Sequence, residues 1–136
     1  MEYTIDKTLL VPRIKEEVSR VADEAYSETG SLYDSIVLTE KDEPMVDRFI
    51  DEAVNGLAGR LFDICKKGTG KLVFYVPDFD LTMEDSTKDE ITNYIVYSVC
   101  VAIFKSRRAQ VVPEYEGLAL GALNKAISFL KSRKVW

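Results

Sequence analysis

The sequence predicts a mainly α fold: a four-helix bundle-like domain with one or two short β-strands, which together can form a small hairpin. Three observations support it. Apolar residues recur every three or four positions in four long segments. One β-branched and aromatic run, "KLVFYV", stands between a glycine and a proline. Hydrophobic residues make up 46% of the 136, enough to expect one domain, 1–136, with a packed core.

The first helix is predicted over residues 11–27, with Gly30 as its stop. Its apolar stripe is Ile14, Val18, Val21, Ala22 and Ala25. The segment 33–38 is predicted as a short strand or an extended link. Thr39 or Asp42 then caps the second helix, which carries Pro44 in its first turn and is predicted to end at Gly68. Its stripe is Val46, Phe49, Ile50, Ala53, Val54, Leu57, Leu61, Phe62 and Cys65.

Residues 71–79 form the strand predicted most clearly by sequence, and Pro77 indicates an edge position or the strand's end. The third helix, 88–109, is introduced by Thr87 and Glu90, whose spacing is that of a capping box. Pro113 separates it from the fourth helix, and cations in "KSRKVW" suit a helix C-terminus. The stripe of the fourth helix is Tyr115, Leu118, Ala119, Ala122, Leu123, Ala126, Ile127 and Leu130. Gly117 and Gly121 are expected to let this helix pack tightly on a neighbour.

Charge and composition exclude several classes of function. The net charge of −5 argues against nucleic-acid binding, which requires a basic face. The balance is uneven, because residues 1–93 carry 11 Lys and Arg against 21 Asp and Glu, whereas residues 94–136 carry 7 against 2. This imbalance is either scattered, solvated surface charge or a polarity that suits head-to-tail stacking of identical subunits. There is no histidine, the commonest general base and metal ligand. Cys65 and Cys100 lie in apolar helical patterns and are expected to be buried thiols in a reducing compartment.

Two motifs resemble binding loops without meeting their requirements. "KKGTGKL" lacks the first glycine and the final Ser or Thr of a phosphate loop, and it precedes a strand where such a loop follows one. "DFDLTMEDSTKD" has Met83 where a calcium loop needs glycine. A carboxylate enzyme or metal site using Asp78, Asp80 and Asp85 stays a third hypothesis, since no nucleophile or histidine accompanies them. We therefore expect no enzyme activity, no cofactor and no bound metal.

The run "YIVYSVCVAIF", 94–104, is the most unusual feature of the chain, because it is apolar on more than one side. It is too short to span a bilayer, which takes about 20 apolar residues. Ile95, Val96, Val99, Cys100 and Ile103 fall on one side of a helix as a core stripe. A second row is either also enclosed, if the helix is central, or forms an assembly surface, since Tyr and Arg are enriched in interfaces. That candidate interface is Tyr94, Tyr97, Val101, Phe104 and Arg108.

The segments "DEPMVDRFIDEAVNGLAGRLFDI" and "KDEITNYIVYSVCVAIFKSRR" resemble the two main helices of small head–tail connector proteins (neck or head-completion proteins) of tailed bacteriophages. The segment "GSLYDSIVLTEKDEPMVDRFIDEA" is similar to proteins of phage-like structural gene clusters. The likeness covers residues 20–110. It implies a non-enzymatic virion protein that forms rings, commonly dodecameric, between portal and tail. The first helix and the long fourth helix depart from the smallest connectors.

These observations predict a phage or prophage structural protein, of the head–tail connector or tail-completion type, that acts by homo-oligomeric ring assembly. Its expected partners are further copies of itself and portal or tail proteins, with no membrane and no nucleic acid, and its location is the virion or the bacterial cytoplasm. The alternative is a bacterial cytoplasmic helical module that binds another protein. Oligomer size distinguishes the two.

Overall fold

The computed structural model of the chain describes residues 1–132. The predicted C-terminal cations Arg133 and Lys134, and Trp136, lie outside the described residues. The fold is mainly α with a small antiparallel sheet, as the sequence predicts. Its elements in chain order are β1 Glu2–Thr4, α1 Lys7–Thr29, α2 Tyr33–Ile36, α3 Glu43–Arg60, β2 Cys65–Gly68, β3 Lys71–Phe74, α4 Glu84–Arg107 and α5 Val112–Leu130.

Helix α1 begins four residues before the predicted start, because Asp6 caps it. The Asp6 side chain accepts a hydrogen bond from the Thr8 backbone N–H at 3.0 Å and so satisfies one of the free donors of the first turn. Gly30 ends the helix with φ of 69°, a conformation that glycine adopts without strain. The whole predicted stripe of α1 is buried.

The prediction of a strand or extended link over 33–38 is wrong for its first four residues. Tyr33–Ile36 forms one helical turn, and the chain becomes extended only at Val37. Ile36 anchors the turn because its side chain is fully buried in the core. Burial of one apolar side chain in four residues carries no readable period, so the sequence pattern could not distinguish the two conformations.

Both predicted caps of the second long helix act together. Thr39 and Asp42 form a capping box around a short 3-10 turn, Glu40–Asp42, which leads directly into α3. The helix then ends at Arg60, not at Gly68, and Cys65 begins a strand instead of closing a helical stripe. Phe62, expected in the stripe, is 78% exposed. Pairing with β3 provides the backbone partners of residues 65–68, and this long-range contact overrides the local helical pattern.

The sheet has the strand order β1-β3-β2 and is antiparallel throughout. Strand β3 is therefore central, so the edge position inferred from Pro77 is wrong. The other alternative, that Pro77 marks the end of the strand, is confirmed, because the strand ends at Phe74 and not at the predicted residue 79. Pro77 lies beyond the strand, where its missing N–H breaks no ladder bond. The phosphate-loop-like "KKGTGKL" is the β2–β3 hairpin, and Gly70 takes φ of 66° in its turn.

Helix α4 also begins earlier than predicted. Asp80 accepts a hydrogen bond from the Thr82 backbone N–H at 3.0 Å, and a 3-10 turn over Leu81–Met83 runs into the helix. The predicted capping box of Thr87 and Glu90 is wrong, because Thr87 lies inside the helix. Its hydroxyl is buried and donates to the Met83 carbonyl at 2.7 Å.

The core is continuous, and α4 lies at its centre, in contact with α1, α2, α3 and α5. Helix α5 packs along α4. Pro113, predicted to separate the two helices, lies in the first turn of α5, and α4 ends earlier, at Arg107. Six of the eight predicted stripe residues of α5 are buried, while Ile127 is half-buried and Leu118 is exposed. Across residues 1–132, the helices all fall short of the length and apolarity needed to cross a membrane.

Candidate functional site: the α4–α5 groove

The predicted interface row on α4 is not one exposed face. Phe104 is fully buried and Tyr94 is 8% exposed, so for these two residues the expectation of an unshielded surface is wrong. Tyr97 and Val101 are half-buried and pack against the same core. Arg108 donates to Glu28 of α1 at 2.9 Å. The row therefore divides into core residues and residues that line a surface depression.

Tyr115 of α5 explains why Phe104 is enclosed. The Tyr115 ring packs against Phe104, with ring centroids 5.0 Å apart, and meets Tyr97 edge-on at 6.1 Å. Its hydroxyl donates to the Glu17 carboxylate at 2.7 Å and accepts from Arg20 at 2.5 Å. Burial, followed by the hydrogen bond to Glu17, raises the pKa of Tyr115, so the phenol stays a protonated donor. The aromatic cluster thus belongs to the core and joins α1, α4 and α5.

Two residues of the row, Tyr94 and Val101, line a groove on the outer side of the α4–α5 pair, whereas Tyr97 and Arg108 do not. The cavity has a volume of about 390 Å³. Helix α4 supplies Tyr94, Ser98 and Val101, while α5 supplies the apolar Leu120, whose side chain is 54% exposed. We call this surface the α4–α5 groove; its lining residues are Arg60, Tyr94, Ser98, Val101, Glu116, Gly117, Ala119, Leu120 and Leu123.

Two opposite charges stand among the residues that line the groove, Arg60 at the end of α3 and Glu116 on α5. Both are exposed, and within residues 1–132 neither makes an ion pair or a side-chain hydrogen bond. Sequence reasoning missed Arg60, Glu116 and Leu120. The sequence did contain one indication of these residues: all three fall outside the predicted buried stripes of α3 and α5, on the sides of the helices that remain available for contacts.

Small residues keep the groove open on the α5 side. Gly117 and Gly121 were expected to pack tightly on a neighbour, but a Cβ added at either position would meet nothing within 4 Å. The prediction is wrong within this chain. Glycine in a helix interior is less favourable than alanine by about 0.5–1 kcal/mol, so the fold itself gains nothing from either residue.

The cations at the C-terminal end of α4 are partly structural. Arg107 donates from Nη2 to Asp42 Oδ1 at 2.7 Å and from Nη1 to the Val37 carbonyl at 3.1 Å. The hydrogen bond from Arg107, together with that from the Thr39 backbone, lowers the pKa of Asp42. Since Arg107 and Arg108 each hold an acidic partner, they do not form a free basic patch.

The carboxylates considered for catalysis or metal binding lie at the entrance to α4. Asp80 caps the turn before the helix by accepting the hydrogen bond from the Thr82 backbone N–H. Asp78 is exposed and has a φ of 56°, and Asp85 lies in the first turn of α4. In the part of the chain that the structure describes, no three His, Cys, Asp or Glu side chains cluster so as to hold a metal ion. Both thiols are buried, Cys100 in α4 as expected and Cys65 in β2 instead of a helix. Burial raises the pKa of Cys65 to about 11 and that of Cys100 to about 12.

Comparison with known proteins identifies no relative: no protein-family model, no curated protein and no solved structure matches the chain.

Proposed function

We propose that this chain is a non-enzymatic structural protein of a tailed phage or prophage, of the head–tail connector or tail-completion type, which acts by homo-oligomeric ring assembly. Its partners are further copies of itself and portal or tail proteins, and its working location is the virion. The resemblance of the α3 and α4 sequences to such connectors supports the class. The small, mainly α fold is compatible with it.

The observation that carries the proposal is the α4–α5 groove. It combines an exposed leucine, two half-open α4 side chains and two opposite charges that form no ion pair within residues 1–132, a combination of apolar and charged groups that is compatible with a protein interface. An apolar side chain such as Leu120, buried at a contact, contributes about 1.5–3 kcal/mol. Arg60 and Glu116 fix the orientation of the partner more than they add affinity.

The uneven charge of the chain supports assembly with a preferred direction. Residues 1–93 carry the acidic excess, and residues 94–136 carry the basic excess. Helix α3 exposes Glu43, Asp47, Asp51 and Glu52, each within 3.9 Å of a Lys or Arg of the same chain, while Lys105 and Lys125 are exposed on α4 and α5. Subunits related by rotation in a ring place unlike surfaces side by side, so such polarity favours a closed head-to-tail arrangement over a two-fold dimer.

Light scattering over a range of concentrations, followed by negative-stain electron microscopy, tests the proposal. The wild type should form oligomers that appear as rings. Leu120→Asp and Val101→Asp should shift the population towards monomer without loss of helicity, because each puts a charge into the groove. Leu81→Asp is the matched control, since Leu81 is 73% exposed but does not line the groove. Phe104→Asp is unsuitable, because a charge at that buried position unfolds the core.

Two outcomes would count against the proposal. A wild-type protein that stays monomeric at every concentration would favour the helical protein-interaction module instead. If Leu120→Asp and Leu81→Asp weaken the oligomers equally, the α4–α5 groove is not the contact surface.

A further inference from the structure

The two edges of the small sheet are complementary to each other. Strands β1 and β2 are the outer strands, and since both run antiparallel to β3, they are parallel to one another. The register aligns their residues in three rows across the sheet. The rows are Glu2–Val73–Lys66, Tyr3–Leu72–Lys67 and Thr4–Lys71–Gly68.

The backbone groups that point away from the sheet alternate along each edge. Phe74 N–H donates to the Met1 carbonyl at 2.8 Å and Ile5 N–H to the Gly70 carbonyl at 2.9 Å, so odd-numbered residues of β1 bond to β3. Glu2 and Thr4 therefore turn their N–H and C=O groups outward.

On β2 the same alternation applies. Tyr75 N–H donates to the Ile64 carbonyl at 2.7 Å, so the backbone groups of Ile64 bond to the β3 side. Lys66, two residues later, bonds to the same side because the direction alternates along a strand. Lys67 therefore points its backbone N–H and C=O outward. If β1 of a second copy lies parallel to β2 in the register of the rows, the Lys67 N–H faces the Glu2 carbonyl of that copy. The Lys67 carbonyl then faces the Thr4 N–H of the same copy.

The side-chain charges agree with this backbone arrangement. Residues of one row share a face of the sheet, so Glu2 of the second copy would lie beside Lys66. Glu2 already accepts a hydrogen bond from Lys71 of its own copy at 3.1 Å, and Lys66 would approach the same exposed carboxylate from the other side. Lys66 is exposed and forms no ion pair among the described residues 1–132. Two β2 edges brought together would instead oppose Lys66 and Lys67 to the same lysines. Lysines protect an edge strand from pairing with its own kind, but they attract an edge that carries a glutamate.

We propose that β1 of one copy adds to β2 of the next copy as a parallel strand, which joins the three-stranded sheets head to tail. The contact is heterologous, so it generates a closed ring or an open filament, depending on the rotation between copies. This inference rests on the proposed self-assembly and specifies the partner surface. Its residues differ from those of the α4–α5 groove, so separate variants test the two surfaces.

Disulfide trapping in the full chain tests the edge contact, using the double variant Glu2→Cys/Lys66→Cys. Within one copy these positions are two strand spacings apart, about 9.6 Å, which is beyond the reach of a disulfide. Any disulfide between them must therefore join two copies. The ion pair across the contact is exposed and contributes little, so the backbone pairing should persist without it. Mild oxidation should give a ladder of dimers, trimers and longer species on a non-reducing gel.

Three controls define the contact. Each single variant alone should give no crosslinked species, and an equal mixture of the two single variants should give dimers only. Lys66→Glu should reduce the oligomer fraction in light scattering. Glu2→Lys/Lys66→Glu should restore part of it, because the swap recreates the attraction across the contact but removes the Glu2–Lys71 ion pair within each copy.

The possible failures are distinguishable. Oligomers that persist in light scattering while the double variant gives no ladder would overturn the edge contact and leave the proposed assembly standing. Disulfide-linked dimers of the Lys66→Cys single variant would show that β2 pairs with β2 of another copy, and this would contradict the head-to-tail contact. A wild type that is monomeric in light scattering, together with an absent ladder, would overturn both proposals.

Discussion

Arg107, at the C-terminal end of α4, holds Asp42 at the start of α3 through two hydrogen bonds, Nη2 to Oδ1 at 2.7 Å and Nη1 to Oδ2 at 3.3 Å. The same guanidinium donates to the Ile36 and Val37 carbonyls, so one side chain holds the end of α2 and the segment that follows it against α4. Both partners are about four-fifths buried, with side-chain exposures of 18% and 19%. This contact joins residues 65 positions apart and fixes the end of the central helix.

Replacing Arg107 by lysine should lower the free energy of unfolding by about 1.5–3 kcal/mol, the range for hydrogen bonds to charged groups. Lysine keeps the charge but cannot reach the carboxylate and two carbonyls at once. Urea unfolding followed by circular dichroism gives the value. Arg108→Lys is the control, with an expected change below about 1 kcal/mol, because its partner Glu28 is 63% exposed. Equal losses for the two variants would contradict the assigned role of Arg107.

The same contact predicts a pH dependence of stability. The hydrogen bond from Arg107 holds the pKa of Asp42 below its ordinary value of 3.8 in the folded state. A lowered folded-state pKa contributes stability that is present above the unfolded value and is lost as the pH falls through the folded value. The wild type should therefore lose stability relative to Asp42→Asn as the pH drops below about 4. Parallel stability curves for the two proteins from neutral to acidic pH would show that Asp42 is not responsible.

Tyr115→Phe should destabilise the fold by about 1–2 kcal/mol, although the ring is retained. The lost hydroxyl leaves Glu17 without its 2.7 Å donor and Arg20 without one acceptor, both beside a buried ring. Thermal and urea unfolding measure the change. Tyr26→Phe should have almost no effect, because Tyr26 is largely exposed and lies outside the core. A neutral Tyr115→Phe would mean that the polar cluster contributes nothing net.

Gly117→Ala should raise the stability of the isolated subunit by about 0.5–1 kcal/mol, since the position is helical, exposed and open to a Cβ. The added methyl group enters the α4–α5 groove, so the same variant should weaken oligomers that use it. Gly70→Ala should instead destabilise the chain, because Gly70 has a φ of 66° in the hairpin turn. Stability and oligomer size measured on both variants separate the two effects.

Both cysteines should be unreactive towards a thiol reagent at neutral pH in the folded protein. Burial raises the pKa of Cys65 to about 11 and that of Cys100 to about 12, so almost no thiolate is present. Both should react fully in denaturant, and Cys65 should react first during partial unfolding because it lies on a short edge strand. Reaction rates followed by absorbance at increasing urea concentration check this order. Rapid labelling of Cys100 in the native protein would contradict the central position of α4.

The periodic apolar residues were enough to predict the four long helices and one strand. Ile14, Val18 and Val21 on α1, and Val46, Ile50 and Val54 on α3, are buried as their spacing predicts. Helix starts were less predictable, because Asp6 and Asp80 cap turns that precede the apolar pattern. Segments that depend on distant partners were mispredicted, among them β2 and the turn at Tyr33–Ile36.

The sequence by itself determined the fold class and most of the core stripes, because the helical period of apolar residues is a local property of the chain and does not depend on which neighbour buries them. Only the tertiary structure decided which side of α4 is covered. Tyr115, eleven residues beyond Phe104 in the chain, encloses that ring, and the path of α5 leaves Val101 and Leu120 beside an open groove. The direction in which a helix packs on its neighbour depends on contacts between distant residues. The spacing of apolar residues within either helix does not show which contacts these will be.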